Sequence, residues 1–566
     1  MVGVTDKIAG VVYPPRERLE HYVSTGVLGE TSLGQALVEA LPRYGDKIAI
    51  NGPDGPISYA QLDDDTNRFA AALLAMGLKP LDRVTFQLVN SQELLVALIA
   101  CWKADLIPVA TLAAHRKTEI GYLSRHAGAK AHFIGIEDRF DFPAFAEDIR
   151  RQVPSMEHIV VVRGRGPDHL SHMADLIASQ DSEAARAIVA GLERDPYQVT
   201  VFQLSGGTTS VPKIIPRFGN EYLLNCVAVG AKLEMTGDDT IFVQLQLMHN
   251  AGTICAIPAL LLGGTVIASS AMDPLTMLGL LKDHRPTIFF AMSAALARMK
   301  AVNITQLVDL SATRLVISPN AARQTEEILG VTGIHIFGMT EGVCTFGQAS
   351  DPDEARYNTI GTPICAADEM RVVDPDTGQD LPPGEVGELV IRGPYTFHGY
   401  FDAEDRNAEV FTADGYYRTG DQMSVRVIEG RKYYAFEGRL KDLVSRGGEK
   451  INCEEVEMAA RHHDGIADIA VVAMPDPELD ERACAFIIPT GPEAAPDVAA
   501  LAQFLVARGL AKFKCPERIE LVAEFPTTDS GKLSKPKLKA QIIEILKREA
   551  AANSEQGDDP CQTKSA

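Results

Sequence analysis

Apolar strands and helical patterns alternate along most of the chain. KIAING, residues 47–52, leads through a turn into SYAQLDDDTNRFAAALLAMG, where Ala60, Leu62, Phe69, Leu73 and Leu74 recur at helical spacing and Gly77 caps the run. RVTFQLV, a helix from Leu94 to Lys103, LIPVAT, and another helix before KAHFIG continue the rhythm. Such alternation predicts an α/β protein with largely parallel sheets. From about Asp368 the pattern changes to short strands joined by turn signals, as in MRVVDPDTGQDLPPGEVGELVIRG, predicting an antiparallel β-rich subdomain over about 368–438. Beyond Gly438 the charged segment GRLKDLVSRGGEK precedes a small βα unit whose strands are ADIAVVAMPD, RACAFIIPT and RIELVAEFP. The expected organisation is an N-terminal core, 1–441, and a small, mobile α+β C-terminal domain, 442–547. The polar, aperiodic segment 548–566 is expected to be a disordered tail.

The stretch from Ala251 to Met272 carries no charge over a length that could span a bilayer. Pro258 and the pair Gly263-Gly264 divide it into an apolar helix and the β-branched strand TVIAS, so a buried helix–turn–strand is expected there. The N-terminal segment MVGVTDKIAGVVYPP lacks the basic and long apolar regions of an export signal.

Composition narrows the function classes. Of 566 residues, 46% are hydrophobic and 23% charged, and 54 basic residues against 76 acidic leave a net charge of −22. This is globular composition, and a surface so acidic disfavours nucleic-acid or anionic-membrane binding. The nine cysteines (Cys101, Cys226, Cys255, Cys344, Cys365, Cys453, Cys484, Cys515, Cys561) are scattered and form no C-x-x-C pair. That argues for a reducing cytoplasm and against a zinc site or disulfide framework.

The stretch with most chemical content is LSGGTTSVPK, Leu204 to Lys213, following the apolar strand YQVTVFQ. Glycines and small hydroxyl residues let a backbone approach a polyphosphate, while Lys213 supplies charge. G-x-x-x-x-G-K-[ST] is absent, so this is no Walker loop. Downstream come FGMTEG (Phe337 to Gly342), YRTGD (Tyr417 to Asp421), GRLKDLVSRGGEKI (Gly438 to Ile451) and PTTDSGKLSK (Pro526 to Lys535). Taken in order, the five motifs resemble the ANL superfamily of adenylate-forming enzymes over about Thr31 to Lys547. VYPPRERLEHYVSTGVLG, FQLVN, AAHRKTEI, RGPYTFHGY, SRGGEK and KFKCP further resemble the stand-alone 2,3-dihydroxybenzoate or salicylate AMP ligases of siderophore pathways.

The resemblance implies a ligase that uses ATP and Mg2+ to convert an aryl acid to aryl-AMP and then to a thioester. The expected acceptor is CoA or the phosphopantetheine of a carrier protein, which would act in trans since no G-G-x-S attachment motif appears. Ser205, Gly206, Gly207, Thr208, Thr209 and Lys213 would hold phosphates, with Ala321 and Gly338 at the nucleotide and Thr340 at the α-phosphate. Glu341 would be the magnesium ligand; taken alone it also reads as an acidic helix cap. Asp421 would take both ribose hydroxyls with Arg439 assisting, and Lys532 would bridge the attacking carboxylate and the α-phosphate. Alone, Lys532 reads as part of a basic run with Lys535, Lys537 and Lys539. Asp442 matches the family's hinge, and Gly447 and Gly448 would admit the pantetheine arm.

His249 would stand at the carboxylate mouth, Asn250 at the ortho-hydroxyl, and Cys255, Cys344 and Asn320 along the acid pocket. Two departures from the family pattern touch these sites. Ser210 replaces the usual loop glycine, and Ser318-Pro319-Asn320-Ala321-Ala322-Arg323 stands where related ligases have V-G-G-A-R. The altered wall keeps a second reading open, an acyl-CoA synthetase for a non-hydroxylated aromatic or alicyclic acid. A non-catalytic nucleotide-binding scaffold is the third. The sequence leaves the oligomeric state open.

Overall fold

The computed structural model describes residues 2–137, 140–205, 212–270, 274–319, 321–446, 449–476, 479–508, 510, 512–528 and 532–556. The chain divides into two compact units. One comprises Met1–Arg371, Val390–Arg418 and Val425–Ala435; the other comprises Val372–Leu389, Thr419–Ser424 and Phe436–Ala566.

Among its described residues, the first unit carries two seven-stranded sheets. One runs in space Ser171–His172, His158–Arg163, Ala131–Gly135, Arg83–Gln87, Ile107–Val109, Val199–Leu204, Ile214–Phe218; all neighbours are parallel except the last pair. The other runs Gly333–Ile334, Leu315–Ile317, Ile288–Phe290, Thr240–Phe242, Thr265–Ile267, Ile48–Asn51, Ile57–Ser58, again parallel until its last pair. This is the α/β class that the alternation predicts. Strands buried on both faces, such as Phe133, Val160 and Ile317, account for the continuous apolar runs.

Local chemistry sets the helix ends. Tyr59–Ala75 starts where Ser58 Oγ accepts from Gln61 N–H at 3.2 Å, and Gly77 follows its end at φ +103. Its buried face holds Tyr59, Leu62, Phe69 and Leu73; Ala60 is exposed and Leu74 half-buried, because the face turns through Tyr59 instead. The uncharged stretch is a helix, Asn250–Leu262, then Gly263 at φ +87 and the strand Thr265–Ile267. Pro258 does not interrupt that helix but sits inside it. Among the described residues no helix is long and apolar enough to cross a membrane.

In the second unit the strands Leu443–Arg446, Glu449–Asn452, Ile466–Asp476, Asp480–Pro489 and Arg518–Leu521 join one sheet, with helices Cys453–Ala460, Val498–Ala507 and Lys535–Gln556. Val444, Ile451, Val456, Ile469, Ala485, Leu501 and Leu505 form its core. The last helix continues to Gln556, past residue 547 where a disordered tail was expected; its buried residues Leu538 and Ile542 pack on Val472 and Phe486. Residues 557–566 lie outside the described residues.

Candidate functional site

Ser205 and Lys213 stand where the antiparallel pair Val199–Leu204 and Ile214–Phe218 opens into the glycine-rich loop. Ser205 N–H donates to Lys213 O at 2.9 Å, and Lys213 N–H to Ser205 Oγ at 3.1 Å, so the loop's two ends are tied together. Gly206, Gly207, Thr208, Thr209 and Ser210 between them lie outside the described residues, as does Asn320.

Ile336–Met339 and Val343–Phe346 form an antiparallel hairpin whose turn is Thr340-Glu341-Gly342, so Glu341 is a hairpin-tip residue and not a helix cap. Gly342 has φ +122, and a Cβ there would lie 2.3 Å from Tyr395 O, which is why the turn needs glycine. Tyr400 Oη donates to Glu341 Oε1 at 2.8 Å, and the Lys213 Nζ lies 5.0 Å from the centre of the Tyr400 ring. Burial, with Glu341 and Tyr417 nearby, pushes the Tyr400 phenol well above its ordinary range and keeps it a donor.

On the acid side, Asn90 fixes the chain ahead of His249, its Oδ1 accepting from Leu247 N–H at 2.7 Å and its Nδ2 donating to Leu245 O at 2.8 Å. Gly252 then lets the helix start close: a Cβ would lie 2.1 Å from Gln246 O. His249 caps the helix by accepting from Ala251 N–H at Nδ1, 3.3 Å, which leaves the imidazole proton on Nε2. Cys255 and Cys344 are both buried; burial pushes the Cys255 thiol well up, and the neighbouring Cys344 adds to it. Gly338 pairs with Cys344 across the hairpin. Ala321 begins the helix Ala322–Leu329 within a separate apolar cluster, and the Ser318 hydroxyl is turned to Ala291 O at 2.6 Å.

Arg217, to which the sequence reading assigned no role, ties these pieces together. It is wholly buried on strand Ile214–Phe218. Nε and Nη2 donate to the two Glu221 oxygens, both at 2.8 Å; Nη1 donates to Asn250 Oδ1 at 3.3 Å and Thr340 O at 3.1 Å; Nη2 also reaches Asn225 Oδ1 and Tyr395 O, each at 3.3 Å. Burial works against the charge of Arg217, but Glu221 one helical turn on holds it above its ordinary value. Tyr400, Asn90 and Glu221 were likewise unassigned. The local signal was one charged pair, four residues apart, inside the apolar run IIPRFGNEY.

In the second unit Asp421, 4% exposed, meets Arg439 Nε at 3.1 Å and is oriented by its own N–H on Thr419 Oγ1 at 3.0 Å. Asp442 ends a short 3₁₀ turn, Leu440–Asp442; Gly447 and Gly448 lie outside the described residues. Lys532 is exposed, its N–H donating to Thr528 Oγ1 at 3.2 Å and its carbonyl accepting from Thr528 N–H at 2.7 Å. The basic run near it is not one solvated face. Half-buried Lys535 pairs with buried Glu457 at 2.7 Å, Lys537 Nζ donates to Thr527 O at 2.7 Å, and Lys539 pairs with Glu481 at 2.9 Å.

Among the described residues no group of three or more His, Cys, Asp or Glu is gathered for a metal. One carboxylate, Glu341, fits magnesium, which takes its remaining ligands from water and substrate phosphates. All eight cysteines among the described residues are free.

Residues 37–401 match the family described as AMP-binding enzyme, and residues 455–532 match the AMP-binding enzyme C-terminal domain. The chain is 35% identical over 543 residues to the 2,3-dihydroxybenzoate-AMP ligase of Bacillus subtilis (strain 168), covering 94% of this chain and 97% of that protein. It is 33% identical over 552 residues to the salicyl-AMP ligase / salicyl-S-ArCP synthetase of Mycobacterium tuberculosis, covering 94% and 95%. Among solved structures, the anthranilate CoA ligase AuaEII in complex with anthranoyl-AMP superposes with a TM-score of 0.79 at 26% identity, over 91% of this chain and 97% of that one.

Proposed function

The chain belongs to the AMP-binding enzyme family, and from that premise we propose that it activates an aryl carboxylic acid of the salicylate or 2,3-dihydroxybenzoate type. The acid and ATP give aryl-AMP and pyrophosphate, and the aryl group then passes to a thiol of CoA or of a carrier protein's phosphopantetheine acting in trans. The observation that carries this reading is the shared guanidinium: one nitrogen of Arg217 holds both Asn250, at the proposed acid pocket, and the carbonyl of Thr340, in the proposed phosphate and metal turn. Free thiols and an acidic surface fit a cytoplasmic enzyme acting on a small molecule.

Acid and nucleotide are both anionic, so the first requirement is to lower their repulsion. Glu341, oriented by Tyr400, would hold magnesium, which when bound with ATP would supply positive charge at the phosphates. Lys213, together with Ser205, Gly206, Gly207, Thr208 and Thr209, cradles the β- and γ-phosphates. Asp421, acceptor-only, takes the ribose hydroxyls with Arg439 beside it. His249 donates from Nε2 to the acid's carboxylate. One carboxylate oxygen attacks the α-phosphorus, the bond to pyrophosphate breaks, and Lys532 neutralises charge as it builds on both groups. Dihedral change at Asp442 then withdraws Lys532, and the thiol enters past Gly447 and Gly448 to attack the acyl carbon and release AMP.

The test is ATP–pyrophosphate exchange over a panel of aryl and alkyl acids, with and without CoA. Magnesium-dependent exchange stimulated by salicylate or a close ortho-substituted aryl acid is expected. Folded protein giving no exchange with every aromatic acid overturns the aryl reading.

A further inference from the structure

A guanidinium has donors only, and this decides the orientation of every group packed on it. Asn250 and Asn225 each contact Arg217, so each must turn its carboxamide oxygen inward and its NH2 outward. For Asn225 the outcome is a buried nitrogen with no hydrogen-bond partner, a cost that shows the orientation is imposed by Arg217 and not chosen by the amide. Asn250 is 5% exposed, and by the same constraint its NH2 is turned away from the guanidinium. Glu221 grips one edge of the guanidinium through Nε and Nη2 and prevents the fork from rotating away.

We infer that Arg217 is a positioning residue that makes Asn250 a pure hydrogen-bond donor toward the acid, so that the site selects acids bearing an acceptor atom ortho to the carboxylate. This rests on the reading that Asn250 lines the acid pocket. The class follows from substrate chemistry. In salicylate the phenol O–H turns to its own carboxylate and offers an outward lone pair; in picolinate the ring nitrogen offers one. Benzoate offers nothing. In anthranilate one N–H serves the carboxylate and the other points outward, donor against donor.

The experiment measures kcat/KM for pyrophosphate exchange with salicylate, picolinate, benzoate and anthranilate in wild type, Arg217→Lys, Asn250→Leu, and the double variant. Arg217→Lys keeps a charge against Glu221 but loses the fork that reaches Asn250. Wild type is expected to prefer salicylate and picolinate. Arg217→Lys should lower the salicylate-to-benzoate ratio by roughly tenfold and raise anthranilate relative to salicylate, and in the Asn250→Leu background it should leave that ratio unchanged. Asn250→Asp, which leaves Arg217 in place and presents only acceptors, should reverse the order of salicylate and anthranilate; it carries the test if Arg217→Lys does not fold. Equal losses for all four acids in Arg217→Lys, or effects on the ratio that simply add in the double variant, overturn the inference. Should Asn250→Leu by itself leave the salicylate-to-benzoate ratio untouched, the pocket assignment beneath it fails instead.

Discussion

Tyr400 touches both side chains that the proposed phosphate chemistry calls on, its ring near Lys213 and its hydroxyl on Glu341. Removing only the hydroxyl separates the two contacts. Tyr400→Phe should raise the magnesium concentration for half-maximal exchange by roughly tenfold, the worth of one hydrogen bond to a charged group, while the KM for the acid stays put. An unchanged magnesium dependence would show that Glu341 needs no such orienting. Lys532 is judged by a different split. Lys532→Ala should slow adenylation on the order of 10²–10³-fold, because the lost charge serves only the attacking state, yet leave conversion of a supplied aryl adenylate to thioester intact. Equal loss in both half-reactions would make Lys532 structural. Lys213, Glu341 and Lys532 could be singled out from short motifs; Tyr400 could not, because its role lies in contacts with residues far along the chain.

Among the elements, the hairpin around Glu341 is where local sequence and tertiary context differ. GMTEG by itself allowed a helix cap, and it took pairing of Ile336–Met339 with Val343–Phe346 to put Glu341 at a hairpin tip. The helix Asn250–Leu262 kept its proline because its own cap and the buried surroundings outweigh one missing backbone donor. At the turn Leu440–Asp442, fixing φ of the hinge proposed at Asp442 would select one arrangement of the chain. Asp442→Pro is therefore expected to preserve pyrophosphate exchange while thioester formation falls, read by following both half-reactions. If neither changes, the hinge lies elsewhere between Gly438 and Gly448.

For the whole molecule, the deeply buried histidines link stability to pH. His132 is wholly buried between Thr85 and Gln87, and burial depresses it to about 4 from an ordinary 6.5. The unfolded chain thus takes up the proton first. The stabilisation that neutral His132 provides is complete above pH 6.5 and drains away as pH falls toward 4, by about 3 kcal/mol. The melting-temperature gap between wild type and His132→Gln should shrink from about pH 7.5 to about pH 4.5; a constant gap would mean that the imidazole stays charged or exposed in the fold. At this scale the α/β class and the five ordered motifs were already legible along the chain, since periodicity, turn chemistry and loop composition act over a few residues. How the last helix is seated was not, because Leu538 and Ile542 hold it through contacts with distant strands. Nor was Arg217 recognisable as more than a charge in an apolar strand. Its worth depends on Glu221, Asn225, Asn250, Thr340 and Tyr395 converging on one wholly buried guanidinium. Burying a charge is costly unless all its donors are met, and only a closed fold brings the acceptors together.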